Sequence, residues 1–214
     1  MKQLSIDILK QLIDDNVKLR SLEDKIVEAV ELLKEGYQNG NKVLVCGNGG
    51  SAADALHIVG ELMKGFRLDR GIKTTYQEKI REMLPDYAEL FIENLQEALP
   101  TISLVNEISL TTAYANDKAA DLSFAQQVYG YGTCGDILVA ISTSGNSKNV
   151  LYAAQIAQVK EMKVISLTGK TGGALASESD VLLNVHEEET YKIQELHLPV
   201  YHCLCAMIEN EMFT

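Results

Sequence analysis

Five short apolar runs, KVLVCG, TISLV, DILVAIS, KVISLTG and DVLLNV, recur between Lys42 and Val185 and alternate with stretches of helical periodicity. As a set they are too short to be helices and too continuous in Val, Ile and Leu to be strands with one wet face. Strands buried on both faces and separated by helices require a parallel sheet covered on either side. The predicted fold class is therefore α/β, a three-layer α/β/α sandwich around a mostly parallel sheet. With 214 residues and 46% hydrophobic content, the chain can bury a full core as a single domain over 1–214, needing neither metal nor disulfide to fold.

Helical spacing of Leu4, Ile8, Leu9, Leu12 and Ile13 predicts a first helix over about residues 3–18. Ser21 with Asp24 resembles a capping signal for a second helix over about 22–38, which Gly40 ends. Further helices are expected over Ala52 to Met63 and Asn149 to Lys160. A last long helix over about 189–213 carries Ile193, Leu196, Val200, Leu204 and Ile208 on one apolar face. Pro199 lies inside it and removes a hydrogen bond to the carbonyl of Glu195, so a kink or loosening is expected between Gln194 and His202.

Two of the apolar runs lead into Gly/Ser-rich turns that open a helix: CGNGGSAAD (Cys46 to Asp54) and ISTSGNS (Ile141 to Ser147). Free backbone N–H groups and the helix dipole make such a turn a site for an anion. Gly49 and Gly50 let the main chain approach a ligand, with Asn48 and Ser51 beside them. Ser142, Thr143, Ser144 and Ser147 present four hydroxyls within six residues, and these read as a phosphate cradle. Either turn alone would be explained by ordinary turn chemistry. Both depart from the dinucleotide pattern G-x-G-x-x-G and the P-loop pattern G-x-x-x-x-G-K-[ST], so the spacing supports neither a nicotinamide nor a nucleoside triphosphate.

A formal charge of −11, with no basic cluster, would repel a nucleic-acid backbone. The N-terminal stretch MKQLSIDILKQLIDDN places acids among its apolar positions and does not resemble a signal peptide. No segment approaches the ~20 apolar residues of a membrane span. A cytoplasmic protein binding neither nucleic acid nor membrane is expected. Cys46, Cys134, Cys203 and Cys205 lack C-x-x-C spacing and are expected to be buried free thiols.

His57 and Glu61 stand four residues apart on one face of the helix that the first glycine turn opens. Imidazole and carboxylate at that spacing can hold a divalent metal, share a proton, or form a plain surface pair. The last helix adds Gln194, Glu195, His197 and His202, and a histidine there with apolar neighbours can equally be a core residue. Gln194 and His202 are two turns apart, roughly 12 Å along an unbroken helix and about 80° around it. If both serve one site, the simplest geometry takes one of them from a neighbouring subunit.

The stretches CGNGGSAAD-x-x-H-x-x-x-E-L, A-N-D, GD-x-L-x-x-ISTSGNS-x-NV, V-x-x-LTG-x-x-GG and IQE-x-H resemble the sugar isomerase (SIS) domain family, whose fold is flavodoxin-like, and within it the bacterial phosphoheptose isomerases. That resemblance implies an aldose–ketose isomerase acting on sedoheptulose 7-phosphate through an enediol(ate). It implies Asn48, Gly49, Gly50 and Ser51 at the sugar, Asn116 and Asp117 beside it, and Ser142, Thr143, Ser144 and Ser147 on the phosphate. It further implies zinc held by His57, Glu61, Gln194 and His202, in a homotetramer with sites between subunits. Glu61 is the candidate base and His202 its acid/base partner; Gln194 and Glu61 also reach the substrate.

An insertion, residues 71–98, departs from the family pattern. Tyr76, Ile80, Met83, Leu84, Tyr87, Leu90, Phe91 and Leu95 give it a helical apolar stripe broken near Pro85. Such a stripe is expected to bury itself, as an added helix on the subunit, at an interface, or as a lid over the sugar. Residues 1–40 are expected to serve oligomerisation. Two other functions fit the resemblance. One is a non-catalytic SIS module binding a phosphosugar or a replication initiator, although the relative of that kind lacks the carboxylate and final histidine found here as Glu61 and His202. The other is an isomerase of a different phosphosugar.

Overall fold

All five apolar runs become strands of one sheet in the computed structural model, which describes residues 1–214. They are β1 (Val43–Gly47), β2 (Thr101–Ser103), β3 (Ile137–Ser142), β4 (Lys163–Thr168) and β5 (Val181–Asn184). The spatial order is β2-β1-β3-β4-β5, and every pairing is parallel, as flavodoxin-like folds require. Val43 stands beside Ile137 and Val45 beside Val139, so the two central strands run in register from their first residues.

Alternation along the strands builds two cores. Val43, Val45, Ile137, Val139, Ile141, Ile165 and Leu167 point to one face, where they meet α1 (Gln3–Asp15), α2 (Glu23–Gln38), α3 (Gly50–Leu62) and the final helix. Leu44, Cys46, Leu138, Ala140 and Val164 point to the other. That second face is covered through Phe124, Val128, Val150, Ala153, Ala154 and Ala157, where alanines let a helix backbone lie close to the sheet.

The insertion forms two short helices, α4 (Thr74–Met83) and α5 (Ala88–Asn94), with Pro85 opening the turn between them. On the subunit itself the stripe is only partly covered. Tyr76, Met83, Leu84, Tyr87, Leu90 and Leu95 are exposed and Ala88 is the one buried residue of α5, while α4 has none. The helices pack on each other, and an antiparallel bridge between Gly71 and Gln96 closes the base of the pair. The pair is anchored next to Arg70, whose fully buried guanidinium donates from Nε to Glu209 Oε1 at 2.8 Å. Glu209 also accepts the N–H groups of Phe66, Arg67 and Leu68.

Between β2 and β3 the chain forms α6 (Ile108–Asp117) and α7 (Ser123–Tyr131); α8 (Lys148–Val159) and α9 (Thr190–Phe213) follow. Three local expectations need correction. α1 ends at Asp15 and a 3-10 turn, Val17–Leu22, takes over, so the first helix is shorter than its periodicity suggested. Ser21 makes no cap, because that turn places Leu22 at the N-cap of α2. Pro199 does not interrupt α9: flanking Ile193, His197, Val200, Tyr201 and Leu204 are all buried, and their packing carries the helix through the missing bond.

The four cysteines are free, but Cys134 is exposed, in the turn entering β3, while the other three are buried as expected. No helix is long and apolar enough to cross a membrane.

Candidate active site

From β1 the chain runs outward to the edge strand β2 and then returns to β3 on the other side of β1. The strand order therefore reverses between β1 and β3, the point at whose carboxyl ends open parallel sheets bind their ligands. Asn48 to Ser51 leave β1 here, and Thr143 to Ser147 follow the last residue of β3, Ser142. Gly49 takes φ +56° and ψ −120°, a conformation that side chains rarely allow, and so turns the chain into α3. At Gly145 (φ +66°) a side chain would collide with the carbonyl of Gly172, so the serine loop can lie directly on the 169–173 loop.

The two loops are tied together. Asn48 Nδ2 donates to Asn149 Oδ1 at 2.8 Å, and Asn149 Nδ2 donates back to Asn48 Oδ1 at 2.9 Å. Within the second loop, Ser142 Oγ donates to Ser147 Oγ at 3.1 Å, and the Asn146 N–H donates to Ser144 Oγ at 3.1 Å. Ser142 is buried, Thr143 and Ser147 are half-buried and Ser144 is exposed. Ser147 occupies the N-cap of α8 without its side chain bonding that end, and Asn149 Oδ1 instead accepts the N–H of Val150 in the first turn. Ser51 is buried in the first turn of α3.

Asn116 and Asp117 form the exposed end of α6, where Asn116 Nδ2 donates to Asp117 Oδ1 at 2.7 Å. No hydrogen bond joins them to either loop; α6 packs against the segment 120–131 instead.

Farther along α3 a second group assembles. His57 Nε2 lies 3.2 Å from Glu61 Oε1 and 3.4 Å from His202 Nε2. The spacing of His57 and Glu61 dictated the first contact; the packing of α9 on α3 supplies the second. Phe66 stacks obliquely on His202 at 5.7 Å, and Lys64 Nζ stands 3.3 Å from Glu61 Oε2. Burial lowers the His202 imidazole from its ordinary range; the nearby His57 acts in the same direction and Glu61 opposes it. The shift favours the neutral imidazole, whose ring nitrogen can accept a proton or bind a cation.

The remaining residues divide. The Gln194 amide lies against Gly50, where any side chain would collide with it, at the opposite end of α3 from Glu61. A single chain therefore separates Gln194 from His202, as the helix arithmetic predicted. His57 and the serine loop are also apart, since His57 sits seven residues beyond Gly50, about 10 Å along the helix. His197 is a core residue: fully buried, it directs Nε2 at the Thr168 carbonyl at 3.2 Å, and burial pushes it down to about 4.

His57, Glu61 and His202 match zinc in donor chemistry. Tetrahedral zinc with bonds near 2.0–2.1 Å separates its ligands by about 3.4 Å, which the two measured edges approach. No three His, Cys, Asp or Glu side chains in the chain are yet arranged around a common point. The edges carry the greater weight, because a glutamate carboxylate turns about its last torsion at small cost. The group fits as part of a metal site and lacks a fourth ligand of its own.

Three residues here were given no role by sequence. Asn149 is hidden in the helix start it helps to form. Asp54 was accessible, since it precedes His57 and Glu61 by three and seven residues on the same helix stripe. Tyr201 gave no signal, because only the packing of α9 on α3 brings its hydroxyl to His57.

A parallel sheet whose strand order reverses between β1 and β3, with a glycine loop and a serine loop at that reversal and an imidazole–carboxylate group on α3, defines an α/β protein of the doubly wound class. The SIS domain pattern matches residues 9–77 and 79–169, and the chain belongs to that family. The phosphoheptose isomerase of Aneurinibacillus thermoaerophilus is 36% identical over 211 residues, covering 99% of this chain and 91% of the relative. That of Shewanella baltica is 39% identical over 196 residues, covering 90% and 86%. The structure of a phosphoheptose isomerase from Francisella tularensis superposes with a TM-score of 0.75 at 32% identity, over 98% of this chain and all of the other. Phosphoheptose isomerase GmhA from Neisseria gonorrhoeae gives 0.71 at 36%, over 96% and 93%.

Proposed function

We propose that the chain is a phosphosugar aldose–ketose isomerase that interconverts sedoheptulose 7-phosphate and D-glycero-D-manno-heptose 7-phosphate. The observation that carries this reading is the contact between Glu61, His57 and His202, on a chain similar over nearly its whole length to phosphoheptose isomerases. Isomerisation needs a base beside a carbon acid and a second group to move hydroxyl protons. Both are present here, which argues against a purely binding role.

The phosphate sits on the hydroxyls and amides of Ser142, Thr143, Ser144 and Ser147, at the start of α8. Asn48, Gly49, Gly50 and Ser51, with Asn116, Asp117 and Gln194, hold the sugar hydroxyls. Glu61 takes the proton from the carbon alpha to the carbonyl and returns it to the neighbouring carbon. His202, neutral at the outset, carries the hydroxyl proton between the two oxygens, so no proton is gained or lost overall. Zinc held by His57, Glu61 and His202, with Gln194 of a second copy completing the set, would polarise the carbonyl and steady the negative charge on oxygen. The working enzyme is then a homo-oligomer, a tetramer by resemblance, with sites shared between subunits.

The test is exchange of the alpha proton of sedoheptulose 7-phosphate with solvent deuterium in the zinc-loaded protein. Exchange with product formation is expected, and Glu61→Gln at matched metal content should slow it by at least ~100-fold. Exchange confined to a smaller ketose phosphate would keep the reaction and change the substrate. No exchange with any ketose phosphate would remove the enzyme reading.

A further inference from the structure

Tyr201 is 1% exposed, yet its hydroxyl reaches two polar partners: His57 Nδ1 at 3.0 Å and Asp54 Oδ1 at 3.3 Å. Its ring also meets both imidazoles edge-on, His57 at 5.5 Å between centroids and His202 at 5.0 Å. One hydroxyl proton must serve two neighbours. Asp54 can only accept when ionised, its Oδ2 is buried without a partner, and its sole side-chain hydrogen bond comes from Tyr201. Turning the hydroxyl toward His57 would leave that half-buried carboxylate with none, the costlier arrangement. The proton therefore goes to Asp54, and the Tyr201 oxygen is left to accept from His57 Nδ1–H.

We propose that Tyr201 and Asp54 are positioning residues that hold the His57 imidazole with a proton on Nδ1, so that Nε2 presents its lone pair toward Glu61 and His202. The consequence is chemical. With the proton fixed on the far nitrogen, the His57 Nε2 lone pair faces the Glu61 carboxylate at 3.2 Å, with His202 Nε2 at 3.4 Å, an arrangement that attracts a cation. The inference rests on the reading of His57 as a ligand, but the tautomer itself can be observed without metal or substrate.

Long-range ¹H–¹⁵N spectra of the metal-free, histidine-labelled protein at pH 8 should show His57 as the Nδ1–H form. Tyr201→Phe, which keeps the ring and removes the hydroxyl, should return it to the Nε2–H form usual for free imidazole. Asp54→Ala should do the same by freeing the hydroxyl to donate to Nδ1. Each variant should also bind zinc about 10- to 100-fold more weakly in chelator competition, with less than additive losses in the double variant. His57 in the Nε2–H form in the unmodified protein, or unchanged in both variants, overturns the proposal. A correct tautomer in a protein that binds no zinc would overturn the ligand reading and leave the tautomer assignment standing.

Discussion

Asn48 and Asn149, 101 residues apart in sequence, exchange two side-chain hydrogen bonds and fasten the glycine loop after β1 to the serine loop after β3. Asn149 Oδ1 also accepts the N–H of Val150 at 3.0 Å, so the same amide fixes the first turn of α8. The two loops are thus held together by a side-chain clasp as well as by the sheet.

Removing the clasp should separate binding from stability. Asn149→Ala deletes two exposed hydrogen bonds and one part-buried one, each worth about 1 kcal/mol or less where water can replace it, so the denaturation midpoint should move modestly. Phosphosugar affinity should fall by roughly an order of magnitude, since the anion donors are no longer held in place. Calorimetric titration beside urea denaturation reads both quantities. An unchanged affinity would show that the sheet alone holds the loops.

Arg70→Ala should behave in the opposite way. It leaves Glu209 buried and short of its only cation, which typically costs about 3–5 kcal/mol. The loss should be visible as a large drop in the urea midpoint at pH 7. Arg70→Lys should recover only part of it, because one ammonium cannot reproduce the donations of Nε to Glu209 and Nη1 to the Leu62 carbonyl.

Continuity of Val, Ile and Leu made the five strands legible, and the glycine and serine loops do stand side by side after β1 and β3. His57 and Glu61 were readable as a pair because helical spacing alone brings them together. His202 needed the resemblance, since its contact with His57 depends on how α9 lies on α3. The α4–α5 pair was legible only as a stripe: periodicity shows that it exists, but what covers it is a tertiary matter, and its own subunit covers little beyond Ala88 and parts of Ile80 and Phe91. Pro199 shows the same limit, because packing overrode a local rule.

Acid should destabilise the fold in two separable windows. For His197 the folded value near 4 lies below the ordinary 6.5, so below pH 6.5 the unfolded chain binds a proton that the native state refuses. Stability should decline from pH 6.5 to about 4, by roughly 3 kcal/mol from this group. Burial alone would raise Glu211, but bonds from Lys34, the Lys2 N–H and Ser5 outweigh it and hold the carboxyl at about 2. Its contribution is present at neutral pH and is lost as pH falls from about 4.5 toward 2. Urea midpoints at pH 7, 5 and 4 should show the first decline in the unmodified protein and a shallower one in His197→Gln.

Subunit mixing tests whether the sites are shared, and the geometry decides which variants to mix. His57 and His202 meet within one chain, so inactive His57→Ala and His202→Ala subunits should not rescue each other. The serine loop and Glu61 are well separated on one chain, with the stretch of α3 between them. If each site draws its loop and its base from different subunits, an equal mixture of Ser144→Ala/Ser147→Ala chains with Glu61→Gln chains should regain about a quarter of the unmodified activity, the fraction of sites that receive both intact halves by chance. Activity would be read below saturating substrate, with subunit exchange confirmed by native mass spectrometry. Recovery in the loop–base mixture alone establishes shared sites and fixes the division between subunits. Exchange without recovery would assign loop and base to the same chain, and a single subunit would then have to span the stretch from Ser147 to Glu61 with one extended sugar.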